Sequence, residues 1–157
     1  MRDISKAIVH CTATPEGRHT TVEDIRSWHK ARGWSDIGYH YVIYLDGSIH
    51  EGRPIERMGA HCRGQNKGSV GIAYVGGIDK KHLKPKDTRT KEQKESLIEI
   101  LTELKHLYCD LDIYGHRDFS SKACPSFDAK EEYKKISNAW YKKQYGKIIS
   151  KNRKEDY

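Results

Sequence analysis

The sequence runs to 157 residues, with 29 Lys and Arg against 22 Asp and Glu for a formal net charge of +7, and 36% of its residues are hydrophobic. That length suits one domain. Leu, Ile, Val and Phe together number only 29, a low share for a charged chain, but ten Tyr and three Trp spread along the sequence supply the missing apolar bulk and argue against disorder.

In chain order, Ile4 to Val9 reads as a short strand that delivers His10 at its end, followed by a loop from Cys11 to Thr20. Thr21 opens a helix. Thr21 with Asp24 makes a capping box, Val22, Ile25, Trp28 and His29 share one face, and Gly33 closes the segment. Tyr39 to Leu45 and Ser48 to Arg53 are two strands of a hairpin turning at Asp46-Gly47. Val70 to Val75 is a buried strand between glycines, and Gly76 to Arg89 is the longest loop. Thr90 with Gln93 caps a second helix, whose apolar stripe is Leu97, Ile98, Leu101, Leu104, Leu107 and Tyr108. Leu111 to Gly115 is the last strand, with His116 directly after it. A loop from Ser120 to Phe127 follows, and Asp128 with Glu131 caps a final helix that runs on into the C-terminal segment. The order β α β β β α β α predicts a single-domain α/β fold, a mixed central β-sheet flanked by α-helices.

The charge is unevenly placed. Residues 134–157 hold eight Lys and Arg against two acids, while residues 1–133 are nearly neutral. This divides the chain into a body, 1–133, expected to carry the chemistry, and a basic C-terminal helix and tail, 134–157. It also argues against a nucleic-acid surface spread over the body. No run approaches the ~20 apolar residues of a membrane span, and the opening residues lack the apolar core of a signal peptide, so cytoplasmic synthesis is expected. In such a compartment the four cysteines read as thiols or metal ligands rather than as a disulfide framework.

His10 and His116 both follow predicted strands, at the sheet edge where functional groups gather in open α/β folds, and Cys124 lies on a loop eight residues further on. Two imidazoles and a thiolate suit zinc and leave a fourth tetrahedral position for water or substrate. Spacing alone does not separate this from an ordinary role for any of the nine histidines. Tyr39, alternating with Tyr41 and Ile43, reads equally as core, and Lys122 as a solvated loop lysine.

Four segments carry a resemblance: IVHCTAT (8–14), IRSWHKARGWSDIGYHYVIYLDG (25–47), GAHCRGQNKGSVGIAYVGGID (59–79) and SKACPSFD (121–128). Together they make the chain similar to the zinc-dependent N-acetylmuramoyl-L-alanine amidases of the phage-lysozyme type, related to the peptidoglycan recognition proteins. The resemblance implies that His10, His116 and Cys124 are the zinc ligands. It matches Tyr39 and Lys122 to the family's catalytic tyrosine and lysine, and His61 to a substrate-groove histidine. The implied substrate is peptidoglycan, cut between the lactyl group of N-acetylmuramic acid and the L-alanine of the stem peptide, as in an endolysin. No H-E-x-x-H glutamate is present to serve as base, so Tyr39 and Lys122 are left to orient water and to stabilise or protonate the developing charges. Cys11, Cys62 and Cys109 have no match and read as small buried hydrophobes.

Related proteins of other function set the alternatives. Recognition proteins that bind peptidoglycan without cutting it typically lack the cysteine ligand, and wall-recycling amidases typically carry aspartate there, so Cys124 speaks against both. Some phage lysozymes of this type bind an RNA polymerase through an N-terminal extension. With nine residues before His10, that partner is not expected. A monomer is expected, and the basic tail, with Ile136, Trp140, Ile148 and Ile149 among its lysines, is a candidate for contact with anionic envelope polymers.

Overall fold

The computed structural model describes residues 2–108 and 111–145. Its elements follow in the order β1 (Lys6–Cys11), β2 (Thr14–Pro15), α1 (Val22–Ala31), β3 (Tyr41–Ile43), β4 (Ile49–Glu51), β5 (Ser69–Tyr74), β6 (Gly77–Ile78), α2 (Lys91–Leu107), β7 (Asp112–Gly115), a 3-10 turn at His116–Asp118, α3 (Ala129–Tyr133) and α4 (Asn138–Tyr145). The sheet order is β4-β3-β5-β1-β7. Strands separated by helical or long connections pair in parallel, β3 with β5, β5 with β1 and β1 with β7, and only the hairpin strands β3 and β4 run antiparallel. The fold is the expected mixed sheet with flanking helices.

Strand alternation decides where the core sits. Ala7, Val9 and Cys11 of β1, Val70, Ile72 and Tyr74 of β5, and Tyr41 and Ile43 of β3 all face one side, where Leu97, Ile100, Leu101 and Leu104 of α2 cover them. A smaller cluster on the opposite side joins Val42 and Val75 to Ile37 and to Val22 and Ile25 of α1. Both helices begin with the reciprocal caps read from the sequence. The Thr21 hydroxyl accepts from Asp24 N–H (3.1 Å) while Asp24 accepts from Thr21 N–H (2.9 Å), and Thr90 and Gln93 do the same at 3.0 and 2.9 Å. The buried Gln93 amide also donates to the Val75 carbonyl at 3.0 Å, so a single side chain caps α2 and ties it to the sheet.

Three expectations are corrected. The stripe on α2 runs through Leu97, Ile100, Leu101 and Leu104, with Tyr108 still packed on the core, and Leu107 leaves it at 54% exposed because its place on the helix turns it off the covered face. The loop after β5 holds β6, paired with β2, and a bridge between Ile78 and Pro85. The final helix is broken at 134–137. Ile136 drops into the core, and the Ser137 hydroxyl accepts from Trp140 N–H at 3.1 Å to start α4 afresh. α4 lies against α2, with Trp140 against the core. Ile148, Ile149 and Cys109 lie outside the described residues, among which Cys11, Cys62 and Cys124 are free thiols.

α3 is anchored by a buried cation. The Arg89 guanidinium bonds Asp87 at 2.8 and 2.9 Å, Glu132 at 2.5 and 3.0 Å and the Tyr133 hydroxyl at 2.8 Å, and it lies 3.4 Å over the Phe127 ring. All its charge is met by partners, which is the condition under which an arginine is tolerated inside a protein.

Candidate active site

The parallel strands β5, β1 and β7 all end on the same side of the sheet, and the chemistry-bearing residues gather there. His10 is the penultimate residue of β1 and is buried, with its imidazole on the face away from α2. β7 ends at Gly115, whose N–H donates to Asp118 Oδ2 (2.8 Å), and the 3-10 turn so formed brings the His116 ring to 4.7 Å from that of His10. The loop bearing Cys124 is stapled back to the sheet. Arg117 N–H donates to the Cys124 carbonyl (2.8 Å), the Tyr74 hydroxyl to the Pro125 carbonyl (2.6 Å), and the Ser126 hydroxyl to the Gly77 carbonyl (2.9 Å). Cys11 N–H points at Cys124 Sγ from 3.3 Å, a donor suited to holding a thiolate.

His10, His116 and Cys124 thereby each present one ligand atom, all within 4.8 Å of one another. Cys124 Sγ is 3.8 Å from His10 Nδ1, close to the roughly 3.5 Å expected of sulfur and nitrogen sharing one tetrahedral zinc. Burial, and then neighbouring His61, His116 and Lys122, hold His10 well below the usual histidine range, and burial and Lys122 lower His116. Both imidazoles are therefore neutral and have a lone pair to give. The Cys11 thiol beside it, and burial, push the Cys124 thiol up. Metal loading therefore has to displace its proton.

Beside the cluster opens a cavity whose lining includes Trp28, Arg32, Trp34, Tyr39 and Lys122. Tyr39 is placed differently from the strand position read in the sequence. Consecutive amides of Arg53 and Gly52 bond the Tyr39 and His40 carbonyls (2.8 and 2.9 Å), the regular ladder starts only at Tyr41, and Tyr39 leaves the alternation that sends Tyr41 and Ile43 into the core. Its ring lies 5.2 Å from that of His10. Burial, and then the Cys124 and Cys11 thiols, push its phenol up, so it remains a proton-bearing donor. Lys122, two residues before Cys124, is exposed at the cavity rim. His61 also borders the cavity but is buried, and both of its ring nitrogens are engaged, Nδ1 with His10 Nε2 (2.8 Å) and Nε2 with the Ser69 hydroxyl (3.2 Å).

The family model for N-acetylmuramoyl-L-alanine amidase matches residues 1–127. The chain belongs to that family. An endolysin of Klebsiella phage KP32 is 42% identical over 134 residues, covering 85% of this chain and 88% of that protein. Peptidoglycan-recognition protein SC1a of Drosophila melanogaster is 32% identical over 128 residues, 78% of this chain and 68% of its own. Among solved structures, the N-acetylmuramoyl-L-alanine amidase LysC from Clostridium intestinale URNW superposes with a TM-score of 0.70 at 32% identity, covering 83% of this chain and 82% of that one. The amidase hydrolyses the amide between N-acetylmuramic acid and L-alanine in peptidoglycan.

Some site features were not legible in the sequence of the amidase. Trp28 was assigned to the buried face of α1, but it is 37% exposed on the cavity wall with Arg18 over its ring (5.8 Å). Ser69 and Asn66, which hold His61, and the backbone N–H of Cys11 carried no signal, since their roles depend on contacts between distant segments.

Proposed function

We propose that the protein is a zinc-dependent amidase of the endolysin kind, with His10, His116 and Cys124 as metal ligands and Tyr39 and Lys122 as the groups that act on the substrate. The observation that carries this reading is the convergence of three ligand atoms within 4.8 Å beside an open cavity that Tyr39 and Lys122 border. When bound, zinc supplies Lewis acidity and lowers the pKa of a water to about 7. The remaining requirements of amide hydrolysis fall to the chain. The protonated Tyr39 phenol donates a hydrogen bond toward the oxyanion or the attacking water, and the Lys122 ammonium, at the rim, stabilises developing negative charge and can give the departing amine its proton, to be restored from water. The cavity wall of Trp28 and Trp34 offers flat apolar surface to the sugar and stem peptide, and Arg32 offers a cation to the stem's carboxylates.

The endolysin relatives support action on the cell wall, with synthesis in the cytoplasm and access to the wall after release. No helix among the described residues is long and apolar enough to cross a membrane. We read the chain as a monomer whose basic segment, 134–157, meets anionic envelope polymers, and we assign it no RNA polymerase partner. Digestion of purified sacculi followed by mass spectrometry tests the reaction. Free stem peptides with intact glycan strands are expected, and cut glycan strands or an undigested wall would refute it.

A further inference from the structure

His61 is held beside the site at both ring nitrogens and at its backbone, and neither the ligand set nor the substrate groups absorb it. Its ring lies flat against β5, where a Cβ on Gly71 would come within 2.5 Å of it, and Gly59 leaves similar room, with a Cβ there only 2.7 Å from the ring. Its backbone is fixed by Asn66, whose side-chain oxygen accepts from both His61 N–H and Cys62 N–H at 2.9 Å. One ring nitrogen faces His10 and the other faces Ser69. A slot with no space for side chains on two glycines, a doubly held backbone and partners at both nitrogens amount to a built position.

One direction of the hydrogen bonds is consistent with every partner and with a His10 that ligates through Nδ1. The Ser69 hydroxyl lies 3.3 Å from the Asn66 carbonyl, which can only accept, and in this arrangement the Ser69 proton goes there. Ser69 Oγ then accepts from His61 Nε2–H. A neutral His61 protonated on Nε2 has an acceptor at Nδ1, which takes the proton of His10 Nε2–H. That leaves His10 Nδ1 as a bare lone pair, on the side where Cys124 Sγ stands 3.8 Å away. The opposite chain of donors would put a proton on His10 Nδ1 and block it as a ligand.

We propose that His61 is a positioning residue that fixes the tautomer and ring orientation of His10 for metal binding, with Ser69 and the Asn66 carbonyl completing the chain. This rests on the metal-site reading above. It is the arrangement by which outer partners generally orient ligating histidines, at a cost of about 10–100-fold in metal affinity when they are removed.

Zinc affinity of the full chain, measured by competition with a chromophoric chelator, tests it without any peptidoglycan. His61→Leu is expected to bind zinc about 10–100-fold more weakly. His61→Asn, which keeps an acceptor near the place of Nδ1, is expected to recover most of that loss, and Ser69→Ala to lose a smaller factor. Nitrogen-15 shifts of the parent imidazoles give a readout that survives any folding defect in the variants. Protons on His10 Nε2 and His61 Nε2 are expected. A proton on His61 Nδ1 would overturn the proposal, as would zinc affinity in His61→Leu within about twofold of the parent. So would a raised KM on a soluble muropeptide with unchanged zinc affinity, which would make His61 a substrate contact. A parent chain that binds no zinc would remove the metal reading itself, whereas a zinc-binding chain inert toward sacculi would fail only as an amidase.

Discussion

The two faces of β1 differ by one residue and by their whole chemistry. Val9 and Cys11 point into aliphatic packing shared with Ile72, Tyr74 and α2, where burial of apolar surface does the stabilising. His10, between them, points to the face where β5 offers only the small residues Ser69, Gly71 and Ala73, and where imidazoles fill space beside them. That second face adds side-chain hydrogen bonds to its smaller apolar cluster: His40 Nδ1 accepts from Gly71 N–H at 3.0 Å while its Nε2 donates to the Arg57 carbonyl at 2.8 Å, and His29 Nδ1 accepts from Gly38 N–H at 2.8 Å. The difference teaches that stability and function are separable on a single strand, since the pleat sends adjacent residues to environments with different demands.

The largest expected effect breaks the functional face alone. Removal of metal by a chelator should abolish activity, and zinc should restore it. Cys124→Ser should cost more than the roughly 10²-fold typical of outer-partner losses, because a serine hydroxyl is a poor anionic ligand at neutral pH. The zinc-free variant should melt as the zinc-free parent does. Full activity in a rigorously metal-free preparation would end the metal reading. On the other face, Ile72→Ala should lower unfolding free energy in urea by about 2–5 kcal/mol and leave turnover per folded molecule unchanged. A large turnover loss there would mean that the faces are coupled.

Tyr39→Phe and Lys122→Ala sharpen the division inside the site. Each should retain zinc and the parent melting temperature yet lose about 10²-fold in turnover, the usual scale for an acid–base or oxyanion group. If either melts several degrees lower with unchanged specific activity, it belongs to packing.

Which of these features the sequence disclosed follows from how local their causes are. The caps at Thr21 and Thr90, the Asp46-Gly47 turn and the end of β7 ahead of His116 have local causes and are legible, whereas β1 runs on to Cys11 through its pairing with β5, so that His10 lies inside the strand rather than after it. The strand setting of Tyr39 is not legible, because the break in pairing at Gly52 and Arg53 is a relation between two strands. The interruption before α4 was missed for the same kind of reason. Continuing the helix satisfies local propensity, but burial of Ile136 against a distant core wins.

A smaller effect appears with pH, and its sign separates the two faces again. Burial, followed by nearby arginines, lowers His29 to about 4, and burial dominates in lowering His40 to about 4. In the unfolded chain both titrate near 6.5. Their contribution to stability is complete above pH 6.5 and is lost as pH falls toward 4, because the unfolded chain binds protons that the folded chain refuses. Each should contribute a slope of up to about 1.4 kcal/mol per pH unit to the zinc-free protein in that window. His29→Gln and His40→Gln should flatten the slope, whatever they do to stability at pH 8. The aliphatic face contributes none of it, so Ile72→Ala should shift the whole profile down without changing its shape. An unchanged slope in the histidine variants would mean that other groups carry the acid sensitivity.

The smallest expected effect on hydrolysis lies in the basic segment. α4 rests on α2 with Trp140 against the core, so a truncation that spares the fold should fall after Tyr145 rather than at the start of the charged stretch. Deleting 146–157 removes Lys147, Lys151, Arg153 and Lys154 together with Glu155 and Asp156. Binding to anionic sacculi or vesicles should weaken by roughly tenfold at low salt, since about 1 kcal/mol per basic residue near an anionic surface is partly offset by the two acids. The difference should shrink as salt shortens the screening length to about 10 Å at 0.1 M. Turnover of a small soluble muropeptide should be unaffected, because that substrate needs only the cavity. Equal envelope binding by full-length and truncated chains at low ionic strength would make the segment a solvated extension. Loss of activity on the small substrate would show instead that residues beyond Tyr145 support the core through α4, which would extend the stabilising face to the end of the chain.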